Sequence, residues 1–210
     1  MKVLIVDDHA VVRRGVIQIL TDAFPRIKIG EADSGKAALA AVAKESWDIV
    51  ILDINLPDRK GLEVLRAIKS EYPLVAVMIL SLHPEEQYAL RALKSGASAY
   101  LTKQSAPEEL VAAIKHVLKG RIYVSASLAE HLAGTLSKDQ TADPAHRLLS
   151  DREFDVLCRL AQGHSVKDIG LQLSLSMKTV STYRSRLLDK LHLNSTADLI
   201  RYALDHHLIV

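Results

Sequence analysis

Five polar side chains stand where apolar runs end: Asp7 and Asp8 in "KVLIVDDHA", Asp53 in "VILDINLP", Ser81 in "MILSLH" and Lys103 in "AYLTK". The adjacent carboxylates of Asp7 and Asp8 carry a cost, because like charges about 4 Å apart repel by roughly 4 kcal/mol at an effective dielectric near 20. A hard divalent cation removes that cost, and Mg2+ accepts a few carboxylates together with waters and phosphoryl oxygens. A carboxylate is also a nucleophile that can form an acyl phosphate. Mg2+ and an ammonium would then neutralise the charge developing on the phosphoryl oxygens. Lys103 supplies the ammonium, and the Ser81 hydroxyl can hydrogen-bond a phosphoryl oxygen.

The elements around these residues place all five on one edge. Val3–Val6, Ile27–Ile29, Ile49–Leu52, Val75–Leu80 and Ala99–Leu101 read as strands, three of them nearly continuous apolar runs of the kind parallel strands covered on both faces require. Val11–Ala23, Lys36–Lys44, Gly61–Glu71 and Glu85–Ser95 carry apolar residues at helical spacing. A fifth helix opens at Ser105-Ala-Pro-Glu108, a capping-box pattern, and closes at Gly120. Five βα units predict an α/β domain with a doubly wound, five-stranded parallel sheet over residues 1–120. Ligands of such sheets bind outside the carboxyl ends of the strands, which is where the five polar residues fall.

Composition excludes several classes. Of 210 residues, 49% are apolar and 25% charged, ordinary for a water-soluble globular chain, and no apolar run approaches the ~18 residues of a membrane span. Val3–Val6 is too short for the apolar core of a signal peptide. The one cysteine, Cys158 in "EFDVLCRLA", excludes an internal disulfide and reads as a buried thiol; a reducing, cytoplasmic setting is expected. A net charge of +2 does not announce nucleic acid, so such a partner has to be argued locally.

The pattern Asp7-Asp8, Asp53, Ser81, Lys103 resembles the receiver domain of two-component response regulators, a flavodoxin-like fold. The resemblance implies that Asp53 is the phosphoacceptor, that Asp8 binds Mg2+ directly and Asp7 largely through water, and that the backbone carbonyl of Asn55 completes the metal's protein ligands. It also implies switch roles for Ser81 and Tyr100; by its sequence alone Tyr100 is a strand aromatic packed on the sheet. Many receivers have proline after the lysine, where this chain has Gln104.

Two rivals are weaker. "GEADSGKA", Gly30 to Ala37, nearly spells a nucleotide-binding loop, but Ala37 lacks the hydroxyl that holds Mg2+, and Glu31 and Asp33 would put negative charge in a phosphate cradle. A strand followed by a Ser34-capped helix is the simpler reading. A phosphohydrolase with an aspartyl nucleophile would want a second acid two residues after Asp53, where Asn55 stands.

Residues 121–146 read as a linker with room for one short helix in "SASLAEHLAGTL"; "SKDQTADPAHR", Ser137–Arg147, is polar and aperiodic. Four helices follow over 147–210. Ser150-Asp-Arg-Glu153 is a second capping box, Gly163 ends that helix, and Ser165, Ser176 and Ser195 are caps for the next three. On Ser176–Leu191, Val180, Leu187 and Leu191 form an inward stripe, while Lys178, Ser181, Thr182 and Ser185 lie opposite. Lys178, Arg184, Arg186 and Lys190 against Asp189 give this helix a charge of 4 − 1 = +3. A tight turn at Ser174–Leu175 joins it to the preceding helix in helix-turn-helix geometry.

Residues 148–208 are similar to LuxR-type DNA-binding domains, and the whole chain resembles a response regulator of the NarL/FixJ class. The resemblance makes Ser176–Leu191 the recognition helix in the major groove, with Ser181, Thr182 and Ser185 facing bases and Lys178, Thr179, Tyr183, Arg184 and Arg186 facing phosphates, Lys178 also within range of a base. Gly170 replaces the alanine usual at its position. A helix-interior glycine costs about 1 kcal/mol but permits close packing. His206-His207 has no spaced partner, so no metal site is expected there. The expected function is that of a transcription factor, not an enzyme, phosphorylated on Asp53 by a sensor histidine kinase with Mg2+. Its expected partners are double-stranded DNA, a second copy of the chain when phosphorylated, and RNA polymerase as a further candidate; no membrane is involved. The rival classes are an aspartyl-phosphate phosphotransfer enzyme, a receiver that only docks proteins, and a phosphorylation-independent DNA-binding regulator.

Overall fold

The computed structural model describes all residues except 83–84, 106, 131–144, 207 and 210, and omits the side chains of 83–87 and 147. The chain divides into two compact units, Met1–Ala133 and Gly134–Val210.

The first unit is a parallel sheet of β1 (Lys2–Val6), β2 (Lys28–Ala32), β3 (Ile49–Leu52), β4 (Ala76–Ser81) and β5 (Ala99–Thr102), ordered β2-β1-β3-β4-β5. It alternates with α1 (Ala10–Ala23), α2 (Gly35–Lys44), α3 (Gly61–Glu71), α4 (Glu85–Lys94) and α5 (Pro107–Val117). Alternation within each strand divides the core. Val3, Ile5, Ile49, Ile51, Met78, Leu80, Ala99 and Leu101 pack on one side against Val16 and Leu20 of α1 and Leu110, Ala113, Ile114 and Val117 of α5. Leu4, Val6, Val50, Leu52, Val77, Ile79 and Tyr100 are buried on the other side, under α2, α3 and α4.

The second strand differs from expectation, running over Lys28–Ala32 instead of Ile27–Ile29. The missing signal is Gly30, whose bare backbone lies against the Trp47 ring; a Cβ there would collide with it. Gly61 is required for the same reason at the site itself. Its amide donates to the Ile54 carbonyl at 2.8 Å, and a Cβ would overlap the Asp53 carbonyl oxygen. The fifth helix ends at Val117 rather than Gly120, whose φ of +71° lies in the left-handed region. Of the opening pattern at Ser105, residue 106 lies outside the described residues; the Ser105 hydroxyl is 3.3 Å from that of Thr102.

The segment expected to link the units is described in part. Tyr123 extends the sheet edge, its N–H donating to the Ser98 carbonyl at 2.9 Å, and residues 126–130 are helical. Ala145–Leu148 forms a 3-10 turn, held because the Tyr202 hydroxyl accepts from the His146 N–H at 3.2 Å.

The second unit contains α6 (Asp151–Ala161), α7 (Val166–Leu173), α8 (Met177–Leu191) and α9 (Thr196–Asp205). Each begins as the sequence predicts: Ser150, Ser165, Ser176 and Ser195 accept from the backbone N–H of Glu153, Asp168, Thr179 and Asp198. Cys158 is buried, its Sγ 3.9 Å from the Leu208 carbonyl. Between α7 and α8, Ser174 takes a left-handed conformation and the Leu175 N–H donates to Gly170 O at 2.8 Å. A Cβ on Gly170 would lie 2.8 Å from the Leu175 carbonyl, so the turn closes tightly over a position with no side chain.

Glu153 joins the first of these helices to α8. Its carboxylate accepts from the Ser150 N–H, the Ser150 hydroxyl and Lys190 Nζ, each at 2.8 Å. Burial pushes its pKa up, but Lys190 and the Ser150 donors outweigh burial and hold it below the usual glutamate value. Folding therefore gains stability from the ionised form above the unfolded value of about 4.3, and the gain is lost as pH falls through the depressed folded value. Glu153→Gln keeps the reciprocal cap and loses the charge. Denaturant titrations across pH 3–7 are expected to show it about 1 kcal/mol less stable at neutral pH, with a flatter acid limb; an unchanged limb would assign the acid sensitivity elsewhere.

Candidate functional site

Asp7, Asp53 and Lys103 are each the first residue after their strands, and the backbone of each is pinned to the neighbouring strand. The Asp7 N–H donates to Ala32 O at 3.1 Å, that of Asp53 to Val6 O at 2.9 Å, and that of Lys103 to Ser81 O at 2.7 Å. The sheet's hydrogen bonding therefore fixes where these side chains begin. The structure brings Asp7, Asp8, Asp53 and Lys103 together as the spacing predicts. Lys103 Nζ lies 2.6 Å from Asp7 Oδ2 and 2.7 Å from Asp53 Oδ2. Asp7 and Asp53 are each 3% exposed, whereas Asp8 stands at the rim. The other oxygen of Asp53 accepts from the Asn55 N–H at 3.2 Å.

Burial dominates the electrostatics. It raises the pKa of Asp53 despite the opposing hydrogen bond and charge of Lys103, and the nearby Asp7 charge adds to the rise. Burial pulls the Lys103 ammonium down, but its hydrogen bonds to Asp53 and Asp7 outweigh that and leave it raised. Three carboxylates facing one ammonium leave an excess of negative charge, which suits a divalent cation. Asp7, Asp8, His9 and Asp53 each present a ligand atom, all within 4.8 Å of one another.

Ser81 and Tyr100 are both wholly buried. The register pairs Ile79 with Tyr100 and Ser81 with Thr102, so the two side chains share one face of the sheet, diagonal to each other across β4 and β5. The Lys103–Gln104 bond is trans, as are the other described peptide bonds.

Three residues near the site carry roles the sequence reading did not assign. His9 is the N-cap residue of α1, yet its ring does not cap the helix; Nδ1 lies 2.7 Å from Asp8 Oδ1 and 3.2 Å from Asp7 Oδ1. Arg13 donates to the Asp7 carbonyl at 2.6 Å and pairs with Glu31 at 3.1 Å, tying the β1–α1 loop to β2. Asp58 accepts from the N–H groups of Gly35 and Lys36, both at 2.8 Å, at the start of α2. A carboxylate thus occupies the helix end that a nucleotide-binding loop would offer to phosphate, and Ser34 caps the helix as expected. The position of His9 beside the acid pair was a readable signal; the contact of Asp58 spans 22–23 residues and had none.

In the second unit, Val180, Leu187 and Leu191 turn inward, and Lys178, Ser181, Thr182, Arg184, Ser185 and Arg186 are exposed. Thr179 and Tyr183 are half-buried, and with Lys178, Thr182 and Arg186 they line a surface concavity of about 280 Å³. The Thr182 hydroxyl donates to Lys178 O at 2.9 Å, leaving it lone pairs and a methyl group to present outward. Ser176 is the cap and not the first helical residue, and its hydroxyl lies 2.8 Å from that of Thr179. Lys190 departs from the basic face, since it is committed to Glu153. His206 packs its ring on Tyr202 and His146, with centroids 4.3 and 5.2 Å away; His207 lies outside the described residues.

Comparison with known proteins joins the two units. Residues 3–115 match the response regulator receiver domain, and residues 147–203 match the LuxR family of bacterial regulatory proteins. The chain is similar to the response regulator GacA of Pseudomonas aeruginosa, 34% identical over 209 residues, covering 100% of this chain and 98% of the relative. It is 33% identical over 208 residues to the response regulator UvrY of Escherichia coli, covering 99% and 95%. Among solved structures, it resembles RcsB of Salmonella enterica serovar Typhimurium bound to a promoter in the presence of phosphomimetic BeF3-, at 27% identity and a TM-score of 0.67, covering 96% of this chain and 97% of that one. No helix among the described residues is long and apolar enough to cross a membrane. This chain carries its buried acid–lysine cluster on a β2-β1-β3-β4-β5 sheet within the matched receiver region, with a capped helix-turn-helix in the matched LuxR region, and it belongs to the two-component response regulators of the NarL/FixJ class, with a receiver and a LuxR-type DNA-binding domain.

Proposed function

We propose that residues 1–120 act as a phosphoacceptor switch, that 121–146 link it to residues 147–210, and that phosphorylation of Asp53 by a sensor histidine kinase increases DNA binding by the helical domain. The observation carrying this reading is the Asp53 carboxylate, buried at the carboxyl edge with Lys103 Nζ at 2.7 Å on one oxygen and the Asn55 N–H on the other. Asp53 attacks the phosphorus of a phosphohistidine, the P–N bond breaks, and the acyl phosphate remains on Asp53 as the imidazole departs. Lys103 holds positive charge where the phosphoryl oxygens arrive, and the Ser81 hydroxyl hydrogen-bonds one of them. Asp8 and Asp53, the Asn55 backbone carbonyl, and Asp7 through water are the residues that would hold Mg2+, which when bound supplies charge neutralisation to the phosphoryl group. The clustering of these carboxylates supports that assignment. The chain acts in phosphotransfer without being an enzyme in the usual sense.

The switch runs through Ser81 and Tyr100. Phosphorylation adds roughly two negative charges beside Lys103 and draws the Ser81 hydroxyl toward them, and Tyr100, on the same sheet face, repacks in response. The helical domain binds double-stranded DNA as a homodimer on two half-sites, in the cytoplasm, with RNA polymerase as the partner that reads the outcome. The helix α8 lies in the major groove. Ser181, Thr182 and Ser185 meet base edges, and Lys178, Thr179, Tyr183, Arg184 and Arg186 meet phosphates, Lys178 also reaching a base.

Two experiments separate the parts. With a small-molecule phosphodonor and Mg2+, Asp53→Asn is expected to take up no label while keeping the native circular dichroism, and Asp8→Asn to label slowly with weakened Mg2+ binding; full labelling of folded Asp53→Asn would identify another nucleophile. Selection from random DNA tests the helix. Replacing Ser181 or Thr182 by Ala is expected to shift preference by about 1–3 kcal/mol at one base position. Arg186→Ala is expected to weaken all sequences alike and reduce the salt slope by about one unit. Unaltered site preference in both hydroxyl variants would remove them from the base-reading face.

A further inference from the structure

We infer that Asp58 is a positioning residue for the phosphoacceptor: it clamps the tip of the β3–α3 loop to the start of α2, and so holds the base of that loop, which carries Asp53 and Asn55, in reacting geometry. The inference rests on the phosphoacceptor reading of Asp53. The loop is a narrow hairpin. Asn55 pairs with Lys60 in an antiparallel bridge, and the Gly61 N–H donates to Ile54 O at 2.8 Å. At the base, the Asn55 N–H donates to Asp53 Oδ1 at 3.2 Å, on the carboxylate that would be phosphorylated. At the tip, Pro57, Asp58 and Arg59 are exposed, so core packing does not fix them.

Both oxygens of Asp58 are fastened to the helix. The Gly35 N–H donates to Oδ1 and the Lys36 N–H to Oδ2, each at 2.8 Å. Burial raises the pKa of this carboxyl, but those two bonds and the backbone N–H groups of Asp58 and Arg59 outweigh it and hold the value below that of an ordinary aspartate. Beside this clamp the Arg59 stem lies over Gly35, where an added Cβ would come within 2.6 Å of Arg59 Cγ and 2.8 Å of Val64 Cγ2. The helix therefore begins with a bare backbone where the loop tip meets it. It does not depend on Asp58 for its own cap, because Ser34 already accepts from the Ala37 N–H at 3.3 Å. What Asp58 adds is the attachment of loop to helix. Slack at the tip of so short a hairpin reaches its base, and displacing a reacting group by about 1 Å is enough to cost up to about a hundredfold in rate.

The test uses the full chain with a small-molecule phosphodonor and Mg2+. Asp58→Ala is expected to take up label about tenfold more slowly than the native protein, and Asp58→Asn, which loses the same charge but keeps a carbonyl acceptor, to stay within about threefold of it. Charge alone predicts the opposite sign, since removing a negative group from this loop would favour an anionic donor. Ser34→Ala removes the helix's own cap and leaves the clamp; it is expected to lower the melting temperature while labelling at the native rate. Amide hydrogen exchange reads the geometry without phosphorylation. The Asn55 and Gly61 amides are expected to exchange faster in Asp58→Ala and at the native rate in Ser34→Ala. Native labelling by Asp58→Ala, unchanged Asn55 exchange in it, equal slowing in Asp58→Asn, or equal slowing in Ser34→Ala would each overturn the positioning role. A native protein that takes up no label would instead overturn the phosphoacceptor reading, and the exchange comparison would still decide whether Asp58 clamps the loop.

Discussion

The Lys103 ammonium lies between two buried carboxylates, 2.6 Å from Asp7 and 2.7 Å from Asp53, and the polar edge of the receiver is organised around that contact. Removing Lys103 would leave Asp7 and Asp53, each 3% exposed, as neighbouring negative charges in a low-dielectric setting. The contact is available because β1, β3 and β5 all run in the same direction and end at one edge. Three pinned backbone amides then leave these side chains little freedom in where they start. Even so, the charges do not balance, as one ammonium faces Asp7, Asp8 and Asp53. In the proposed function, a divalent cation would neutralise that residual negative charge and so favour the arrival of a phosphoryl group.

The helical unit follows a different logic. Its four serine caps and the Glu153 bridge hold short helices that would be marginal alone, so that α8 can present a polar face without contributing that face to the core. The inward stripe of Val180, Leu187 and Leu191 fixes the rotation of the helix, and therefore which residues point outward. Committing Lys190 to Glu153 concentrates the exposed positive charge of this helix on Lys178, Arg184 and Arg186.

Much of this was legible in the sequence where local chemistry and tertiary structure agree. Apolar runs ending in Asp7, Asp53, Ser81 and Lys103 marked the strands and the residues that meet at their carboxyl edge, because a covered parallel strand is apolar until it reaches that edge. The capping box at Ser150 and the cap serines Ser165, Ser176 and Ser195 marked helix starts correctly in the second unit. What escaped depends on partners distant in sequence. Gly30 hides β2 because it is there to admit Trp47, and the Asp58 bond to the start of α2 depends on how two loops meet. The His9 ring, by contrast, lies beside the acid pair that precedes it in sequence, and it faces those carboxylates instead of capping α1.

In the proposed function, chemistry at Asp53 is linked to DNA affinity elsewhere in the chain. Such coupling requires that phosphorylation favour one of two arrangements that differ in DNA affinity, by a free energy that typically corresponds to about 5–150-fold. The most direct measurement is the affinity for one operator, at fixed salt, of the full chain with and without phosphorylation and of residues 147–210 alone. Phosphorylation is expected to tighten binding by the full chain about tenfold or more, and the fragment is expected to bind DNA regardless of phosphodonor. Equal affinity of the phosphorylated and unphosphorylated full chain would contradict it.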